Sequence, residues 1–257
     1  MPFRVRIAGL LFLAAGTLAA ADPPYMGKWK LNPVKSDFGA TTITFAQDGQ
    51  LMEFSADGMS YKFKIDGKDY IALMGATAAW KEIDPHTWET TNKSAGRLVS
   101  TDTIKLSADG KTLTIESKGT KPNGETAADV TVYERVSGGP GLAGKWKTKN
   151  VKITSPSVLE FSPNGPDGIT MAITDIKAVC NAKFDGNDYP VTGPTVPPKL
   201  AMAFKQAGPR AFETTTKLDG KARYVSTSTV SEDGKTLTEV GGAVGISERF
   251  KAVYDRQ

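Results

Sequence analysis

Gly27-Lys28-Trp29-Lys30 returns as Gly144-Lys145-Trp146-Lys147, and Asp109-Gly110-Lys111-Thr112-Leu113-Thr114 returns unchanged from Asp233 to Thr238. Between them, in the same order, Asp66-Gly67-Lys68-Asp69-Tyr70 matches Asp185-Gly186-Asn187-Asp188-Tyr189, and Trp88-Glu89-Thr90-Thr91 matches Phe212-Glu213-Thr214-Thr215. Val99-Ser100-Thr101 then matches Val225-Ser226-Thr227, and Glu134-Arg135 matches Glu248-Arg249. The offsets stay between 114 and 126 residues. Such a period is far longer than a solenoid unit of about 20–50 residues and points to two copies of a whole domain. Ser137-Gly138-Gly139-Pro140-Gly141 has the composition of a joint. The expected organisation is one domain over 22–137, a linker over 138–141 and a second domain over 142–257.

Each copy reads as β structure. Eight Asp-Gly pairs, at Asp48, Asp57, Asp66, Asp109, Asp167, Asp185, Asp219 and Asp233, and Asn-Gly at Asn123 and Asn164 supply the residues that tight hairpin turns need. Short runs rich in Thr, Val, Ile, Phe and Tyr lie between them, and no stretch after the first 21 residues sustains a helical period over three turns. Eight to ten short strands per copy, joined by hairpins, predict an all-β molecule of two tandem antiparallel up-and-down barrels, which lose their exposed edges by closing.

The whole chain has 257 residues, 39% hydrophobic and 23% charged, with one Cys and one His. This composition argues against a disordered tail protein or a disulfide scaffold. Residues 1–21 read as a signal peptide: Arg4 and Arg6 precede an apolar run from Ile7 to Leu18, and Ala19-Ala20-Ala21 offers a small-residue cleavage site. The run is shorter than the roughly 18 residues a membrane span needs. The protein is therefore expected to be exported, to the periplasm or the medium, without a membrane span. Losing Arg4 and Arg6 lowers the formal charge of +4 by two, and no Lys/Arg cluster suits a nucleic-acid partner. In an oxidising compartment the lone Cys180 is expected to be a buried core residue.

The opening Gly-x-Trp, the run of antiparallel strands and the closing Val132-Tyr133-Glu134-Arg135-Val136 resemble the calycin group, the lipocalins and fatty-acid-binding proteins. Trp29 to Ser36, Asp-Gly-x-Asp-Tyr and Asp-Gly-Lys-Thr-Leu-Thr are more closely similar to a largely uncharacterised family of secreted bacterial lipocalin-like proteins. The resemblance implies barrels with a cavity for a small, mostly apolar ligand. It also implies an arginine two residues before the last-strand tyrosine, clamping a fatty-acid carboxylate. Thr131 stands there in the first copy and Gly245 in the second, where Ser247 replaces the tyrosine. A fatty acid is therefore not favoured over other hydrophobes.

Trp29 and Trp146 are expected at the barrel floors, covered by Arg135 and Arg249 through cation–π contact. Trp88, Asp102, Thr131, Tyr133 and Phe212 are the cavity candidates. Asp102 interrupts a strand and aligns with Ser228; simple alternation favours an outward position, a polar cavity being the alternative. Catalysis has little support. His86 alone cannot build a multi-histidine metal site, Cys180 would have to pair with it across copies, no carboxylate spacing stands out, and Gly241-Gly242 lacks the Lys and Ser/Thr of a phosphate loop. Neither cofactor nor metal is called for. The expectation is a non-catalytic binding protein for a small apolar molecule; the alternative is an envelope or extracellular interaction module whose barrels are filled by side chains.

Overall fold

The computed structural model describes residues 22–257, so the expected leader at 1–21 lies outside the described residues. The first copy forms β1 (Gly27–Leu31), β2 (Thr42–Asp48), β3 (Leu51–Ala56), β4 (Met59–Phe63), β5 (Asp69–Ile71), β6 (Thr77–Asp84), β7 (Thr87–Ser94), β8 (Arg97–Leu106), β9 (Thr112–Thr120) and β10 (Thr126–Ser137). The second forms β11 (Gly144–Lys152), β12 (Val158–Pro163), β13 (Gly168–Ile173), β14 (Ala178–Lys183), β15 (Tyr189–Thr192), β16 (Leu200–Gly208), β17 (Ala211–Leu218), β18 (Lys221–Val230), β19 (Thr236–Ala243) and β20 (Phe250–Arg256). The only helical element among the described residues is a 3₁₀ turn at Leu73–Gly75. The molecule is all-β. Its tight turns follow the expected chemistry: at Asp57-Gly58 and Asp219-Gly220 both residues take positive φ, which suits two-residue hairpins.

The sheets do not coincide with the sequence copies. One barrel, here the N-terminal barrel, is built from β2 to β11; the other closes β12 to β20 with β1. Thus Gly27–Lys30 pairs with Phe161–Val158 and Trp29–Leu31 with Arg256–Tyr254, while Gly144–Lys147 pairs with Phe45–Thr42. Each copy lends its first strand to the other. The boundaries expected at 22–137 and 142–257 are corrected accordingly, and 138–141 is no linker between barrels but the turn joining β10 to β11 within one sheet. The true crossings are residues 32–41 and 153–157. The physical reason is that Gly-Lys-Trp-Lys occurs twice, so either strand offers the same face to either slot. The N-terminal barrel is nearly closed, with no ladder between β4 and β5; the C-terminal barrel is closed.

Both crossings leave one barrel at the end away from its tryptophan and enter the other at the same end. The turns at these ends touch. The β9–β10 hairpin meets the β13–β14 turn through Lys121 and Asp175, Nζ to Oδ2 2.7 Å, and the Asn123 amide donates to Asp175 O. In the pseudo-symmetric contact, the β3–β4 turn meets the other barrel through Tyr224 Oη, which donates to Asp57 Oδ2 at 2.8 Å, and through Gly58 against Ile246. Gly75, after β5, lies against Pro197 and Leu218. The two barrels stand mouth to mouth, with their floors at the far ends.

Candidate functional site

The floors explain the two conserved-looking tetrapeptides. Trp146 is fully buried, its Nε1 donates to Leu142 O, and the Arg135 guanidinium lies 4.0 Å from its ring centroid. Arg135 also donates to the carbonyls of Gly110, Gly139, Gly141 and Ala143. In the C-terminal barrel Trp29 Nε1 donates to Tyr25 O, and the guanidinium 4.2 Å from its ring belongs to Arg256, which donates to Gly234 O, Met26 O and Pro24 O. The expected floor role of Arg249 is therefore corrected. Arg249 sits at the mouth end, its Nη1 donating to Ile246 O. The structural counterpart of Val132-Tyr133-Glu134-Arg135 is Val253-Tyr254-Asp255-Arg256: Tyr133 faces Leu113 as Tyr254 faces Leu237. The position matching Thr131 is Ala252 rather than Gly245, and the tyrosine is retained as Tyr254. No arginine occupies the clamp position in either barrel.

Above the floor of the N-terminal barrel, Ile43, Phe45, Phe63, Trp80, Trp88, Ile104 and Leu113 pack as core. Phe63 stacks on Trp80 at 4.4 Å, and Trp80 Nε1 donates to Tyr61 Oη at 3.0 Å. Trp88, one of the cavity candidates, belongs to this packed layer. Toward the mouth the lining turns polar. Thr90 and Asn92 continue the inward face of Trp88, while Ser100 and Asp102 continue that of Ile104 and Leu106. Asn92 Nδ2 donates to Asp102 Oδ2 at 2.7 Å and reaches Ser100 Oγ at 3.1 Å. Asp102 therefore points inward, against the simple expectation. Its Oδ1 is buried with no hydrogen-bond partner. The register pairs Thr90 with Asp102 as Thr214 pairs with Ser226, so the counterpart of Asp102 is Ser226, and Ser228 corresponds to Ile104.

Two phenols share this chamber. Burial pushes Tyr61 up to about 12, the Trp80 bond works against that shift, and the Asp102 charge adds to it. Tyr133 is raised chiefly by burial as well, with the Asp57 and Asp102 charges adding to the shift. Both stay neutral donors at neutral pH. Tyr133 packs against the core cluster, and Thr131 lies two residues away on the same face, opposite Ile115 and Val151. Phe54, Tyr61, Ile115 and Tyr133 are only partly buried although they pack against the core, whereas the floor residues are sealed. The inward face of this barrel is thus sealed at the floor and partly accessible above it.

The C-terminal barrel is packed by a comparable ring cluster but carries different polar groups. Phe212, the remaining cavity candidate, is fully buried at the centre of a ring cluster with Tyr25, Phe161, Phe184 and Phe204. The structure thus divides the five candidates: Asp102, Thr131 and Tyr133 lie on inward faces of the N-terminal barrel, Trp88 belongs to its packed core, and Phe212 belongs to the other barrel. In place of a carboxylate on β18, Thr214 and Ser226 hydroxyls bond to each other at 2.6 Å. Tyr254 Oη donates to Glu239 Oε2 at 3.3 Å, and burial with the Glu239 charge raises its pKa. Cys180 is 2% exposed, and burial pushes its thiol up to about 11.

A cleft of about 480 Å3 lies where the barrels meet, between the outer face of β2, β3 and Lys145 on one side and Tyr224, Ile246 and Arg249 on the other. Among the described residues no three His, Cys, Asp or Glu side chains gather as a metal-ligand set, and no helix is long and apolar enough to cross a membrane. His86 lies in the exposed β6–β7 turn, away from Cys180 in the other barrel. Sequence reasoning missed Thr90, Asn92, Ser100 and Tyr61. Period-two counting back from Leu106 and on from Trp88 would have found the first three. Compared with protein-family models, curated proteins and solved structures, the chain matches none.

Proposed function

We propose that the protein is an exported, non-catalytic carrier of a small, mostly apolar molecule, bound inside a lipocalin-like barrel. The observation that supports this reading is the inward face of the N-terminal barrel: an apolar floor sealed by Trp146 and Arg135, aromatic residues above it that are only partly buried, and an unpaired seam between β4 and β5. Pockets for small ligands are commonly apolar chambers with a few polar groups placed to orient the guest. The leader-like first 21 residues support export.

The test is displacement of a neutral fluorescent hydrophobe by a long-chain acid and by its methyl ester. With Thr131 and Ala252 at the clamp positions, the ester should displace more strongly, because a carboxylate entering the chamber finds no cation and meets Asp102. Tighter binding of the acid at neutral pH would overturn the apolar-ligand assignment. If no probe binds, the second reading prevails, in which the barrels are rigid supports for an interaction surface. The five-ring clusters that pack the interior of each barrel favour that alternative.

A further inference from the structure

Asp102 is a carboxylate placed inside a barrel with no cation beside it. Its Oδ2 is satisfied by Asn92, its Oδ1 by nothing, and among the described residues no Lys or Arg forms an ion pair with it. A charged oxygen left buried without a donor is costly, and a native fold that keeps one needs a reason. Nothing in the packing requires a carboxylate there. The same position in the C-terminal barrel holds Ser226, whose hydroxyl is satisfied by Thr214 within an equivalent pair of strands.

The surroundings fit a guest of one kind. Asn92, which holds Oδ2 of Asp102, also reaches the Ser100 and Thr90 hydroxyls, which can accept further hydrogen bonds from a multivalent donor. Tyr61 and Tyr133 pack against the core of the same barrel, and aromatic rings of this kind attract a cation. Below them lies the apolar core of Trp80 and Phe63. A group with several N–H donors and a positive charge would meet Asp102, while a hydrocarbon body attached to it would rest on the aromatic wall.

We propose that the N-terminal barrel binds a hydrophobic amine, its ammonium held by Asp102; in the C-terminal barrel Ser226 stands at that place and the carboxylate of Glu239 is engaged by the Tyr254 hydroxyl, so this site is absent there. The assignment rests on the carrier reading above and specifies its ligand class. A carboxylate-ammonium contact is charge-assisted, so an amine should bind about tenfold or more tighter than the alcohol of the same chain length.

The experiment uses the whole chain with dodecylamine, dodecanol and lauric acid competing against a neutral fluorescent probe, together with calorimetry for stoichiometry. The expected result is the order amine, alcohol, acid, with one high-affinity amine per chain. Asp102→Asn should remove the amine preference and leave dodecanol binding within about twofold. A preference that survives Asp102→Asn, as it would if the amine sat in the cleft between the barrels, overturns the assignment; so do equal affinities of amine and alcohol, or two equivalent amine sites. Should Asp102→Asn not fold, Asp102→Ser, the residue at the equivalent place in the C-terminal barrel, must remove the amine preference in a folded protein, and failure to do so overturns the proposal equally. If even dodecanol and the probe do not bind the native chain, the carrier reading fails as well, whereas alcohol binding without amine preference rejects only the amine site.

Discussion

Arg135 and Arg256 each do two jobs with one planar group, stacking on a buried tryptophan and tying together the carbonyls of the turns around the barrel floor. Lysine keeps the charge but loses the fork of donors and the flat face. Arg135→Lys is expected to lower the stability of the N-terminal barrel by about 2 kcal/mol, because carbonyls are left without donors; an unchanged denaturant midpoint would show that the turns hold themselves. Cys180 yields a second expectation at this scale. With its thiol buried and its pKa raised to about 11, a thiol reagent should label the native chain far more slowly than the denatured one. Fast native labelling would mean that β14 opens readily. These residues also show what can be read from sequence. Tryptophan at the floor is implied by the resemblance to the calycin group, but Glu248-Arg249 imitates Glu134-Arg135 closely enough to hide Arg256, because a two-residue match carries no information about which arginine reaches the ring. For Asp102 the expected alternation has the wrong phase: two-residue steps from the buried Ile104 place it inside.

At the scale of elements, hairpins were the legible part, since Asp-Gly turns and alternating runs act over a few residues. Strand exchange was not legible. β1 and β11 carry the same Gly-Lys-Trp-Lys face, so the local pattern is satisfied whichever barrel each closes, and the choice depends on crossings of 32–41 and 153–157, where Asn32-Pro33 and Ser155-Pro156 signal a turn but not which barrel the chain enters next. The exchange makes an asymmetric prediction. Residues 40–152 contain every strand of the N-terminal barrel in sequence and should give a cooperative β-sheet unfolding transition alone. Residues 153–257 lack the strand that closes their barrel and should fold cooperatively only when a peptide spanning 22–36 is added. Circular dichroism melts of the two fragments decide this; an autonomous 153–257 fragment would show that β1 contributes little to closure.

Across the whole molecule, the mouth-to-mouth arrangement is pinned by one buried ion pair and one phenol. Asp175 is 2% exposed; burial works to raise its pKa, but the Lys121 ammonium and the Ser157 hydroxyl outweigh that and hold the carboxyl below the ordinary range. A carboxyl whose folded pKa is depressed stabilises the fold above its unfolded value of about 4, and that contribution drains away as pH falls through the folded pKa. The urea midpoint should therefore fall on acidification below about pH 4, and Asp175→Asn should flatten that dependence. At neutral pH Lys121→Ala, which leaves the carboxylate buried and unpaired, should cost about 3 kcal/mol. A pH profile unchanged by Asp175→Asn would remove this pair from the forces joining the barrels.

The path of the chain through the two barrels also ranks them in time. β1 precedes an entire barrel, yet its two neighbours are β12 and β20, so it must wait for the last strand before it has a complete slot. Contacts of such sequence separation form slowly. Gln257 nevertheless ends beside Lys28, its amide donating to the Lys28 carbonyl at 2.9 Å. Joining 257 to 22 by a short loop and cutting the chain between 153 and 157 would list β12 to β20, then β1, then β2 to β11. The same folded object would then be written as two successive barrels, each complete before the next begins, and its refolding should lose the delay that nesting imposes.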